Sequence, residues 1–303
     1  MSQTSFKLHK ISTTNYKHNK IKEQYKNIKT INPQLNIIDV VINHKHINVI
    51  QDGDLICGTK QRVAELFVKE IIKTEHSKNK IVNTIVYAGT FNGYGAIASA
   101  FASKRLNIKC KVYLSLIGTG FTEKSDIDYV LRSKQLQTLV ALNAQVYLCS
   151  DYRKAKNLLY SVTDIHQDHY ILPMGLNDKD CVMINLLSIQ IKNAMKGTLL
   201  ESAINPTIWM VAGSGGILMA LNKALQTKCK IKIHLTGGGK YIKRVKEYVK
   251  KCKNIIIVNK ENDKNEINNN IYYDTVKNYD DKIVQYVKKY GKDGDFIWNV
   301  AAD

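Results

Sequence analysis

Along most of the chain, short runs of β-branched and aliphatic residues alternate with segments whose apolar residues recur at helical spacing. Residues 47–51 and 84–88 read as strands, and 60–73 as a helix with Val63, Leu66, Phe67 and Ile71 on one face. A glycine-rich turn follows 84–88 and leads into an alanine-rich helix through Ala102. Strands at 110–116 and 145–149 bracket a further helix. In the last third, strands at 207–212, 230–235, 255–258 and 295–299 alternate with helices at 217–225, 241–250 and 280–290. Strict alternation with short connections predicts an α/β fold in three layers, its mainly parallel sheets covered by helices on both faces. Residues 1–30 are polar, basic and weakly periodic, which predicts a loose lead-in. The polar stretch 259–270 predicts a surface loop, and no internal repeat is visible.

Composition narrows the class. A chain of 303 residues that is 44% hydrophobic can bury a substantial core, in one large domain or two smaller ones. There is no run of about 18 apolar residues, so no membrane span is expected. Residues 1–10 lack the apolar stretch of a secretory signal. The six cysteines lie far apart without a CxxC pair, a pattern of reduced thiols in a cytoplasm rather than of disulfides or zinc. No HExxH spacing occurs, which argues against a catalytic zinc. The net charge of +19 would attract nucleic acid. An AT-rich coding bias, visible in abundant Lys, Asn and Ile, produces the same charge without that function, and is the favoured reading.

Four elements carry chemistry. The loop Gly213-Ser214-Gly215-Gly216 lies between the apolar strand 207–212 and a helix. Glycines there admit an anion close to the backbone, and the helix N-terminus supplies unpaired N–H groups, so a phosphate cradle is favoured over a plain turn. Leu218 stands where a dinucleotide fingerprint needs its third glycine, and no Gly-Lys-Ser/Thr follows. A second cluster, Gly237-Gly238-Gly239-Lys240, lacks the Ser or Thr of a magnesium-binding loop and reads as a flexible turn. The third element runs from Asp52 to Arg62 and carries Lys60 after a Gly-Thr step, at the start of a helix. A helix N-terminus and partial burial both disfavour a protonated amine, the condition an imine-forming lysine needs; taken alone, among so many lysines, a solvated side chain explains Lys60 better. The fourth, Gly89-Thr90-Phe91-Asn92-Gly93-Tyr94-Gly95, could wrap a carboxylate. Thr90 and Asn92 would supply hydrogen bonds, Gly93 close backbone approach, and Tyr94 ring contact; an ordinary turn explains it equally well.

Taken in order, these elements resemble the fold-type II pyridoxal-phosphate enzymes, the tryptophan-synthase-β superfamily. The chain is most similar to the branch of D-cysteine desulfhydrase and aminocyclopropane-carboxylate deaminase. That branch carries a D-D-x-x-G-G-N-K-x-R motif, matched here by Asp52 to Arg62 with Cys57-Gly58-Thr59-Lys60. The resemblance implies a Schiff base on Lys60 and a pyridoxal 5'-phosphate phosphate on Gly213, Ser214, Gly215 and Gly216. Asn92 and Asn299 are implied as further cofactor contacts, and Thr90, Asn92, Gly93 and Tyr94 as substrate contacts. Leu172-Pro173-Met174-Gly175-Leu176 looks like the family's Ile-Pro-x-Gly-Gly. Two departures stand out: Asn92-Gly93-Tyr94 replaces Ser-Asn-His, and Val300 stands where a threonine usually bonds the pyridine nitrogen, leaving Asn299 to substitute. The variant motifs look like a phage-encoded branch, for which host-cytoplasmic location is implied.

The resemblance implies a large cofactor-binding domain (31–80 plus 176–303), a small domain (81–175) and a homodimer. The expected activity is elimination or deamination of an amino acid or amino-acid-derived compound, with Lys60 as proton-transferring base. Two rivals remain open. The protein could act on an amino-acid adduct of nucleic acid, using Lys243, Arg244, Lys246 and Lys250. It could also be a non-catalytic descendant serving as a binding module.

Overall fold

A computed structural model describes residues 9–10, 25, 28, 30–91, 93–116, 133–149, 151–165, 167–176, 181–226, 228–236, 239–258 and 281–300. The chain divides into two compact units, Met1–Ile31 with Val63–Asp178 and Asn32–Arg62 with Lys179–Asp303. In chain order the elements begin with β1 (His9–Lys10), β2 (Ile37–Ile42), β3 (Lys45–Ile50), α1 (Gln61–His76), β4 (Thr84–Thr90) and α2 (Gly95–Arg105). Then come β5 (Lys109–Ser115), α3 (Lys134–Ala141), β6 (Gln145–Cys149), α4 (Tyr152–Ile165), β7 (His169–Ile171) and α5 (Val182–Met195). The remainder is α6 (Leu199–Ser202), β8 (Thr207–Ala212), α7 (Gly216–Leu225), β9 (Lys230–Leu235), α8 (Gly239–Val249), β10 (Ile255–Ile257), α9 (Asp281–Tyr290) and β11 (Phe296–Trp298).

In the first unit the sheet order is β1-β6-β5-β4-β7, with every pairing parallel except that of β1 with β6. Strand β4 is buried along nearly its whole length, as a central parallel strand covered on both faces must be. Alternation sends Val86 and Ala88 to one face, where they pack with Tyr113, Cys149, and Ala155 and Leu159 of α4. Tyr87 points the other way, against the start of α2 at Gly95. Small side chains let α2 lie close to the sheet, and its residues 95–103 are buried.

The second unit has the order β10-β9-β8-β11-β3-β2. Its strands are parallel except β2, which forms a hairpin with β3. The turn is two residues long, Asn43 and His44, both at positive φ (50° and 61°), the backbone of a type I′ turn. Helix α9 buries Ile283, Val284 and Val287 against Trp209, Val211, Ile297, Val49 and Ile47. Asp295 accepts a 2.8 Å hydrogen bond from the Trp209 indole nitrogen, satisfying a polar group that would otherwise be buried alone. Helices α5 and α7 pack on each other.

The structure departs from the expected pattern in several places. Strands β2 and β7 and helices α4, α5 and α6 are additional to the predicted elements. His9 and Lys10 of the lead-in pair with Leu148 and Tyr147 instead of lying loose. The division between units falls at Arg62 and Val63, so most of α1 groups with 84–175. Glu65 on α1 is ion-paired to Arg105 on α2, one tie that holds α1 to that unit. The expected loop at 259–270 lies outside the described residues. Among the described residues, no helix is long and apolar enough to cross a membrane.

Candidate active site

Three neighbouring parallel strands of the second unit, β3, β11 and β8, end at the same edge of their sheet. The chain leaving β3 carries Lys60, the chain leaving β11 carries Asn299 and Val300, and the chain leaving β8 carries the loop 213–216. Ligand sites in open α/β sheets lie off the carboxyl ends of the strands. With β11 between them at about 4.8 Å from each neighbour, β3 and β8 run about 10 Å apart.

Lys60 closes a single 3₁₀ turn, Gly58–Lys60, and α1 starts at the next residue. Gly58 adopts φ 59°, a left-handed conformation that favours glycine. The segment is clamped from below. Thr59 N donates to Val300 O at 3.0 Å, and Asn299 N donates to Ile50 O at 3.1 Å. The Trp298 indole nitrogen donates to the buried Thr59 hydroxyl at 3.0 Å. Cys57 is fully buried, and burial pushes its thiol well above the usual range, outweighing the opposite pull of neighbouring Lys60. It is therefore a packing residue and not a nucleophile.

A second clamp spans the same segment. Asp52 and Arg62 are each about 1% exposed. Asp52 accepts three hydrogen bonds from the Arg62 guanidinium, from Nε at 3.2 and 3.0 Å and from Nη2 at 2.5 Å. Arg62 Nη1 donates to Asn32 Oδ1 at 2.8 Å and to the Pro33 carbonyl at 2.6 Å. A buried charge pair is tolerated when its remaining hydrogen-bonding groups are met, as here. The pair fixes both ends of the stretch bearing Lys60.

At the end of β8, Gly215 sits at φ 84° as the residue before α7, and Gly216 is the first helical residue. A Cβ on Gly215 would lie 2.7 Å from Val245 Cγ2 on α8, so backbone conformation and packing both demand glycine. No side chain caps this helix start. Its first N–H groups, with the positive end of the helix dipole, form a seat suited to phosphate. Gly213 and Ser214 are partly exposed, whereas Gly215 and Gly216 are buried beneath them.

In the first unit, the turn after β4 is built on Tyr87. A Cβ at Gly89 would lie 2.6 Å from the Tyr87 ring, and one at Gly95 would collide with its hydroxyl. The same hydroxyl accepts a 3.1 Å hydrogen bond from Gly175 N, in the stretch that looks like the family's Ile-Pro-x-Gly-Gly. Two glycines of this turn are thus required by a tyrosine packed beneath it. Thr90 pairs with Ser115, Gly93 N donates to Thr90 O at 3.0 Å, and Tyr94 immediately precedes α2. Asn92 lies outside the described residues.

The structure therefore groups Lys60, Asn299 and 213–216 on one edge of one sheet, and Thr90, Gly93 and Tyr94 in one turn of the other unit. Sequence reasoning assigned no role to Asp52, Arg62, Trp298 or Tyr87. The first two were legible as a motif match, but only burial reveals their pairing.

No protein-family model matches the sequence, and comparison with curated proteins finds no match. Solved structures do resemble it. An ACC deaminase homologue aligns over 94% of this chain and 95% of its own, with 13% identity and a TM-score of 0.60. Diaminopropionate ammonia lyase of Escherichia coli, in its apo form, aligns over 97% and 90%, with 12% identity and a TM-score of 0.59. A pyridoxal 5'-phosphate-dependent aspartate racemase aligns over 96% and 81%, with 13% identity and a TM-score of 0.50. At such identities the likeness speaks for the fold, and the fold is the fold-type II, tryptophan-synthase-β-like α/β architecture that the order of motifs implied.

Proposed function

We propose that this chain binds pyridoxal 5'-phosphate through Lys60 and the loop 213–216, and acts on an amino acid or amino-acid-derived substrate. The reading rests above all on the shared edge of β3, β11 and β8, which presents an amine-bearing segment and an anion seat two strands apart. The residues present fit this cofactor. Gly215 and Gly216 open the backbone at a helix start without a side-chain cap, which suits the phosphate. Lys60 supplies the amine for the aldehyde carbon, on a segment clamped at both ends by Asp52 and Arg62. Asn299, at the end of the middle strand, supplies an amide for the ring nitrogen that Val300 cannot reach by hydrogen bonding. The names of two structural neighbours, an ammonia lyase and a pyridoxal-phosphate-dependent racemase, support the same assignment.

When bound, the cofactor supplies an electron sink for negative charge at the carbon beside the substrate nitrogen. Lys60 Nζ then moves the proton at that carbon. In the other unit, Thr90, Gly93 and Tyr94 offer hydrogen-bonding and packing groups of the kind a carboxylate needs, in a turn kept in shape by Tyr87. Loss of a β-substituent with release of ammonia, a lyase or deaminase reaction, is the activity this reading favours.

The test is direct. Purified protein is incubated with pyridoxal 5'-phosphate, dialysed and scanned for visible absorption. It is then offered a panel of D- and L-amino acids while ammonia and keto acid are assayed. Retained colour and product from at least one amino acid are expected, with both lost in Lys60→Ala. Colourless protein without product would leave the fold as a binding module.

A further inference from the structure

The opposite edge of the same six-stranded sheet carries a second feature, independent of the Lys60 reading. Strands β9 and β10 are parallel neighbours, with Ile231 opposite Ile255. A Lys-Cys-Lys tripeptide leads into each, Lys228-Cys229-Lys230 at β9 and Lys251-Cys252-Lys253 before β10. Ile231 N donates to Asn254 O at 2.8 Å, which holds the beginnings of the two strands side by side.

The four lysines line a recess of about 820 Å³ together with asparagines, a threonine and two cysteines, and among the described residues no acidic side chain lines it. None of the four takes part in an ion pair among the described residues. The wall behind them is fixed by side-chain amides. Asn254 Nδ2 donates to Asn222 Oδ1 at 2.8 Å and to Cys229 O at 3.1 Å, and Asn222 Nδ2 donates to the Tyr248 hydroxyl at 2.9 Å. Four ammonium groups around one concavity repel one another, and a multivalent anion between them relieves that repulsion. A volume within about 300–1,000 Å³ is that of a small-molecule site, with room for a nucleotide.

We infer that the recess at the start of β9 and β10 is a binding site for a ligand carrying several phosphate groups, a nucleotide either free or within a nucleic-acid strand. The lysines contact the phosphates, and the asparagine amides present a polar wall to the remainder. A part of the +19 net charge then has a local purpose instead of being compositional throughout.

Binding of ATP, inorganic tripolyphosphate and a short fluorescein-labelled single-stranded oligonucleotide to the full chain is measured at several salt concentrations. The same titrations are run on a K228Q/K230Q/K251Q/K253Q variant. A charge-matched control, K109Q/K134Q/K154Q/K156Q, removes four lysines from the other unit. Saturable binding to the unaltered chain is expected, weakened about tenfold or more in the first variant and unchanged in the control. Tighter binding of ATP and tripolyphosphate identifies a free phosphate compound as the ligand, and tighter binding of the oligonucleotide with a steeper salt slope identifies a strand; either supports the site. If the quadruple variant does not fold, K230Q/K253Q is compared in its place. No saturable binding, no loss in the recess variant, or equal loss in both variants would overturn the inference.

Discussion

The indole nitrogen of Trp298 donates to the hydroxyl of Thr59 at 3.0 Å, with both side chains fully buried. This bond joins the end of the central strand β11 to the residue before Lys60, and it is reinforced by the Thr59 N to Val300 O bond. Thr59→Val leaves the indole N–H buried without this acceptor and should cost about 1–3 kcal/mol. Thr59→Ser retains the hydroxyl and should cost clearly less. Urea unfolding of the two variants checks the ordering, and equal losses would show that the hydroxyl contributes nothing.

The pairing of Asp52 with Arg62 makes a sharper prediction. Asp52→Ala leaves a guanidinium buried against Asn32 and Pro33 with no carboxylate, and should destabilise the fold by about 3–5 kcal/mol. The double variant Asp52→Leu/Arg62→Met removes both charges and should recover much of that loss. Chemical denaturation reports stability. Cofactor uptake by the double variant reports whether the pair also aligns Lys60.

Gly215→Ala places a methyl group against Val245 on a backbone held at φ 84°. The conformation alone costs about 1–2 kcal/mol, and the contact adds to it. Retention of pyridoxal 5'-phosphate should fall about tenfold, as expected from a similar loss in binding free energy. Adding Val245→Ala removes the contact but not the strain, so retention should recover only in part. Full recovery would show that the left-handed conformation is irrelevant.

His234 on β9 gives a pH dependence. Burial and the nearby Lys282 ammonium push its imidazole down from 6.5 to about 4, against the pull of Asp281. Below about pH 6.5 the unfolded chain takes up a proton here that the folded chain refuses until about pH 4. Stability from this residue is therefore present at neutral pH and is lost as pH falls through that window. His234→Phe should flatten this part of the acid limb, seen as urea midpoints that change less between the two ends of the window than those of the unaltered chain.

Much of this architecture is legible in residue patterning. The alternation of β4, α2, β5 and of β8, α7, β9 follows from apolar runs bounded by glycine or by cap residues. Other elements lack such signals. The hairpin turn at Asn43-His44 contains no glycine, although both residues take positive φ. Helix α5 starts after Cys181, which is at φ 59° and offers no side-chain cap. Strand β1 is two residues long and is defined only by its partner β6. In the candidate site, the 213–216 loop announces itself by local chemistry, whereas Lys60 stands out only through the order of motifs that resembles a known family. The roles of Arg62, Trp298 and Tyr87 depend on burial and long-range partners, which no spacing rule encodes. Glycines at 89 and 95 suggest anion binding in sequence, yet the structure shows a packed tyrosine ring demanding them.

The functional reading turns on Lys60 as the residue that holds the cofactor. Borohydride reduction of protein loaded with pyridoxal 5'-phosphate, followed by proteolysis and mass spectrometry, locates the lysine that carries it. One predominant phosphopyridoxyl-lysine is expected, at position 60. Label spread over surface lysines, or concentrated on another lysine, would contradict the assignment.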